Sequence, residues 1–98
     1  MKKRYSILTD DLETCIECGR NNVELHEIFG GNPNRKHSID DGLIIPLCKE
    51  LHHRGNLIGI HRDPILMGKW HIKGQRAYMK QYKKTVDEFI KRYGRNYL

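Results

Sequence analysis

The chain has no apolar run near the roughly 18 residues that a helix needs to cross a bilayer, so no membrane span is expected. Its opening residues, MKKRYSILTDD, are basic but lead into no apolar stretch, which argues against a secretory leader. Aromatic side chains make up 8% of the 98 residues and hydrophobic ones 38%. That is enough for one domain at most, with a core so lean that a disulfide, a metal or a partner subunit is expected to reinforce it. Cysteine is scarce too. With no export signal the expected compartment is intracellular, where thiols stay reduced, and the three cysteines read better as ligands than as disulfide halves. Repeats, linkers and low-complexity segments are also missing.

Charge is present in excess, and unevenly. Residues 1–67 carry nine Lys/Arg against ten Asp/Glu, whereas residues 68–98 carry nine against two. A basic segment beside a nearly neutral body suits a polyanionic partner, most simply nucleic acid. A solvated, lysine-rich helix face would look the same on charge alone. Lys80, Lys83 and Lys84 are the natural candidates for phosphate contacts in this segment.

The hydrophobic pattern sets the expected elements. NVELHEIF (22–29) alternates and predicts a strand. GGNPNRKHSIDDG (30–42) is rich in Gly, Pro, Asn and Asp and predicts an irregular loop. LIIPL (43–47) predicts a second, buried strand with Pro46 near its end, because proline cannot donate to a ladder. A short helix is expected from Cys48 to about His53, stopped by Gly55. Asp63-Pro64 is an N-cap followed by proline at the first helical position, and predicts a helix to about Tyr82, weakened at Gly68 and Gly74. Thr85 with Glu88 forms a capping box for a last helix that Gly94 would end. Trp70, Tyr78 and Tyr82 are expected to pack along the long helix, and His37 and His71 to be exposed.

CIECG places Cys15 and Cys18 at the spacing of a metal knuckle, although a redox pair has the same spacing. Thirty positions after Cys18 come Cys48 and a histidine at 52 or 53, which would complete a Cys3His zinc site. Three unrelated free cysteines are the plainer alternative. His26-Glu27, at the end of the first strand, then shares a strand–loop–strand–helix order with the paired histidines.

With these parts in order, the chain resembles the HNH endonucleases, the ββα-metal or His-Me finger group, and especially their small phage- or prophage-encoded members. The resemblance rests on Cys15 and Cys18, His26-Glu27-Ile28-Phe29-Gly30-Gly31, Arg35 to Ser38, Gly42-Leu43, Leu47-Cys48, His52-His53-Arg54-Gly55 and Gly59-Ile60-His61. It covers residues 15 to about 80. It implies a single α+β domain over 1–98: a ββα-metal core (about 15–62) on a zinc knuckle, with basic C-terminal helices (about 63–98). It further implies a metal-dependent DNA endonuclease in the cytoplasm of a bacterial host, with DNA as partner and phage packaging or recombination proteins beside it. Cys15, Cys18, Cys48 and His52 would hold a structural zinc. His53, with His61 or the His26/Glu27 pair, would hold a catalytic magnesium, manganese or zinc ion, and His26 or Glu27 would act as the base. Arg35 would contact a phosphate or simply face solvent.

Two registers fit the paired histidines. In the family two residues usually separate the zinc cysteine from His-His; here Lys49, Glu50 and Leu51 make three. Either His52 closes the zinc site and His53 enters the active site, or Leu51 stands where a ligand is lost and His52 is catalytic. The first avoids an empty fourth position at a structural zinc. The family's middle asparagine is missing, its place reading Asp41-Gly42-Leu43. That departure leaves open a DNA-binding zinc module without cleavage, or a structural zinc domain of a larger assembly.

Overall fold

The computed structural model describes residues 4–53 and 59–98 and, for Glu50 and Leu51, the backbone alone. In chain order it contains strand β1 (Val23–Glu27), helix α1 (Asn34–Asp41), strand β2 (Ile44–Cys48), a π-helical turn (Lys49–His53), and helices α2 (Pro64–Tyr82) and α3 (Val86–Tyr93). The architecture is α+β. β1 and β2 pair antiparallel, with Val23 opposite Cys48, His26 opposite Ile45 and Glu27 opposite Ile44. All five residues of β2 are buried, as a short unbroken apolar run requires. Pro46 stands in the middle of β2 rather than near its end. In a two-stranded sheet each strand is an edge, so a missing ladder donor is tolerated.

The helix signals are realised closely. Asp63 accepts from the amides of Ile65 and Leu66 at 3.0 and 3.1 Å, with Pro64 opening α2. Thr85 and Glu88 bond each other's backbone amides at 3.1 and 3.0 Å, and Gly94 caps the end of α3. α2 differs from expectation in running unbroken through Gly68 and Gly74. At Gly74 a Cβ would stand 3.0 Å from Ile28 Cγ2 and 3.2 Å from the Phe29 ring. The glycine is there for close approach, not for a break. The expected stop at Gly55 lies outside the described residues.

The stretch 30–42 is not wholly irregular, because it contains α1. This helix has no apolar stripe to announce it. It is held instead by buried Ser38, whose hydroxyl accepts from the Phe29 amide at 3.1 Å and donates to the Phe29 carbonyl at 2.9 Å. Gly42, at φ 73°, closes the helix in the left-handed region, and a Cβ there would meet the Tyr5 ring at 2.5 Å. At the same end the Asp41 carboxylate accepts from Arg92 at 2.6 and 3.0 Å and from the Tyr93 hydroxyl at 2.7 Å, tying α1 to α3.

The core collects the few aromatics around Phe29, with Phe89 at 5.3 Å and Tyr93 at 4.8 Å between ring centroids. Ile28, Leu43, Ile45, Leu47, Ile60, Trp70 and Tyr78 complete it. Trp70 and Tyr78 are buried packing residues as expected, and Tyr82 is half-buried with its hydroxyl on the Asp41 carbonyl. Among the described residues no helix is long and apolar enough to cross a membrane.

Candidate functional site: two metal-ligand clusters back to back

Cys15, Cys18, Cys48 and His52 bring three sulfurs and one imidazole nitrogen within 4.8 Å of one another. The knuckle closes through Gly19 N–H on the Cys15 carbonyl and Cys15 N–H on the Arg20 carbonyl, both 2.8 Å, and Ile16 N–H hooks it to Pro46 of β2 at 2.9 Å. Cys18 Sγ and Cys48 Sγ are 3.7 Å apart, and His52 Nδ1 lies 3.1 Å from Cys48 Sγ and 3.6 Å from Cys15 Sγ. Tetrahedral bonds of zinc length imply sulfur–sulfur edges of about 3.8 Å and sulfur–nitrogen edges of about 3.6 Å. The donor set and its spacing fit a zinc ion. Burial raises the Cys15 thiol above its ordinary value, while the Arg20 amide bonded to Cys18 lowers that thiol to about 6.

The second cluster is made of imidazoles alone. His26, on β1, is buried; His53 ends the π turn; His61 is exposed. Their ring centroids are 4.9 to 5.3 Å apart and one nitrogen from each falls within 4.8 Å of the others. His53 Nε2 and His61 Nε2 stand 3.2 Å apart. Imidazoles sharing one ion at about 2.1 Å would have nitrogens about 3.0 to 3.4 Å apart, from octahedral to tetrahedral geometry. Burial, reinforced by His53 and His61, brings His26 down to about 3. It is therefore neutral at pH 7, the form a metal requires.

Glu24 completes this cluster, with Oε1 2.8 Å from His53 Nδ1. Strand alternation puts Glu24 and His26 on one side of β1. The contact fixes the His53 ring so that its other nitrogen faces His61, the usual arrangement behind a metal-ligating histidine. Glu27 is not among the imidazoles. Its carboxylate is 2.8 Å from Arg35 and 3.6 Å from Arg4. All of these residues line one cavity of about 650 Å³, which Met67, His71 and Tyr97 line as well.

The structure thus separates the paired histidines. His52 goes to the cysteines and His53 to His26 and His61, the arrangement in which the fourth sulfur-site ligand is not lost. Arg35 lines the cavity, but Lys80, Lys83 and Lys84 do not. Lys80 and Lys83 are exposed at the far end of α2. Lys84 pairs with Glu88 at 3.5 Å beside a different cavity, bordered by Pro33, His37 and Lys91. His71 is half-buried rather than exposed: burial lowers its pKa, and it stacks on Phe29 at 5.4 Å. His37 is half-buried too, edge-on to Tyr93 at 5.9 Å. Sequence reasoning missed Glu24, Arg4, His71 and Tyr97. Only Glu24 had a readable signal, two positions from His26 on a strand.

Compared with family models, with curated proteins and with solved structures, the chain returned no match.

Proposed function

We propose that this protein is a metal-dependent DNA endonuclease of the HNH, ββα-metal type, with a zinc-stapled fold. The observation that carries the reading is the convergence of His26, His53 and His61, oriented by Glu24, in a cavity that Arg4 and Arg35 also line. Three converging imidazoles and open space suit a divalent ion such as zinc or manganese better than oxygen-preferring magnesium, and the ion would polarise a phosphodiester and offset charge on the departing oxygen. His26 is the better ligand than base, since a group held neutral down to about pH 3 gains protons poorly near pH 7. Glu27 is then left to take the proton of the attacking water. Arg4 and Arg35, its ion-pair partners, would hold the phosphate as they release the carboxylate. Phage or prophage origin, with packaging or recombination proteins as partners, belongs to the same proposal and rests on the resemblance alone.

A second reading has its own support. Asp41, standing where the family's asparagine is expected, is fully engaged by Arg92 and Tyr93, and Glu27 is held by two arginines. Both features suit a zinc-containing DNA-binding module that does not cut. Nicking of supercoiled plasmid with magnesium or manganese decides between them. Cleavage lost on His53→Ala and on chelation supports the nuclease. DNA binding with no nicking under either metal supports the module.

A further inference from the structure

The residues after α3 return to the candidate site. Tyr97 N–H donates to Gln75 Oε1 at 2.7 Å, and Gln75 Nε2 donates to Asn96 Oδ1 at 2.8 Å. Gln75 is fully buried in the middle of α2, so both ends of a core amide are committed to holding this short segment. What the segment delivers is the Tyr97 ring, 4.5 Å from His71 and 5.2 Å from Phe29 between centroids, on the wall of the 650 Å³ cavity. The Arg95 guanidinium lies over the same ring, 4.8 Å from its centroid, which adds a cation to this wall. None of this belongs to the ligand clusters.

We propose that Tyr97 and His71 form a nucleoside-contact wall beside the imidazoles, so that the groove receives a strand whose base next to the bound phosphate is unpaired. The nature of the phosphate at the imidazoles rests on the nuclease reading; the wall itself does not. A strand lying along this cavity meets Arg4, Arg35 and the imidazoles together with the rings of His71 and Tyr97. Cations track a phosphate backbone, and aromatic faces receive bases without regard to sequence. In a regular duplex the bases are stacked inward and cannot lie against a wall recessed in a cavity. A single strand, a flap or a frayed end can offer one. The site therefore selects unpaired nucleic acid over duplex.

The test is fluorescence anisotropy of the full chain with a labelled 12-nucleotide strand, alone and as a duplex, without added magnesium or manganese. The parent should bind the single strand more tightly. Tyr97→Leu, which keeps apolar contact with Phe29 but has no ring, should weaken single-strand binding about ten-fold and leave duplex binding within about two-fold. Tyr97→Phe should behave as the parent. Equal affinity of the parent for both forms, or equal weakening of both by Tyr97→Leu, would overturn the wall. A 2-aminopurine in the strand gives a readout that needs no variant: its fluorescence should be quenched on binding the parent, and an unquenched complex also overturns the proposal. Plasmid nicking is scored separately. Nicking without single-strand preference overturns the wall and leaves the nuclease reading intact; the preference, with neither plasmid nor the labelled strand cut once magnesium or manganese is added, does the reverse.

Discussion

Replacing His52 and His53 one at a time should give two opposite phenotypes. In small zinc domains the ion contributes about 10–16 kcal/mol, as large as the whole folding free energy of about 5–15 kcal/mol. His52 is one of four donors, its Nδ1 3.1 Å from Cys48 Sγ. If His52→Ala weakens zinc binding by only a quarter, about 3 kcal/mol, Tm falls by more than 10 °C at about 4–8 °C per kcal/mol for a domain this small. His53→Ala removes a side chain that is 14% exposed and leaves Glu24, 24% exposed, able to turn to water. That costs about 1 kcal/mol, a fall of only 4–8 °C. Yet it removes a ligand of the proposed catalytic ion, so nicking should drop by about two orders of magnitude or more. The assay is zinc stoichiometry, melting curve and nicking rate for both variants beside the parent. Swapped phenotypes would refute the placement of the two rings, and parent-like cleavage from both would refute the nuclease.

Three further outcomes follow from the geometry. Glu24→Ala should lower affinity for the second ion about 10- to 100-fold while the Cys3His zinc stays stoichiometric, as calorimetry with manganese would show; unchanged affinity would make Glu24 a bystander. Asp41→Ala leaves the Arg92 guanidinium and the Tyr93 hydroxyl unpaired between α1 and α3, and after allowance for the one-third exposure of Arg92 should cost about 2 kcal/mol in urea unfolding. Acid should destabilise, through His26, the protein that carries zinc at the cysteines and no ion at the imidazoles. Its folded value of about 3 lies below the ordinary 6.5, so its contribution is complete above pH 6.5 and is lost as pH falls toward 3, by up to about 1.4 kcal/mol per unit. His26→Gln should flatten that slope, and an unaltered slope would show that His26 titrates normally.

What could be read from the sequence was whatever is stated by local chemistry. The α2 and α3 termini were readable because Asp63-Pro64 and Thr85/Glu88 satisfy backbone amides within three residues of themselves. The cysteines were readable because a Cys-x-x-Cys-Gly turn followed by Cys48 and His52 spells out a four-donor metal site in the spacing itself. α1 was not readable, since its anchors, Ser38 on Phe29 and Asp41 on Arg92, are partners 9 and 51 positions away. Gly74 misled for the same reason: its meaning lies in a contact with Ile28 and Phe29, not in helix propensity. The net charge of residues 68–98 pointed to Lys80, Lys83 and Lys84, but charge counts carry no direction, and the cations that line the cavity with the imidazoles are Arg4 and Arg35.

The separation of His52 from His53 follows from the turn that carries them. Cys48 and His52, four apart, lie on one side of a helical turn, and the His52 amide itself donates to Cys48 Sγ at 3.2 Å. The next residue points elsewhere, toward the open face of β1, where Glu24 and His26 wait two positions apart. Three residues separate Cys48 from His52, one more than in the spacing expected on the proposed HNH reading. A π turn closes i→i+5 and takes up one residue more than an α turn, and Lys49–His53 is π-helical. The extra residue is thus absorbed without moving either ring out of its cluster. One consequence is mechanical coupling: an ion bound by the cysteines fixes the backbone at 52, and so fixes where the imidazole at 53 can reach. Stripping zinc should therefore weaken binding at the histidine cluster as well, even though the two sites share no ligand.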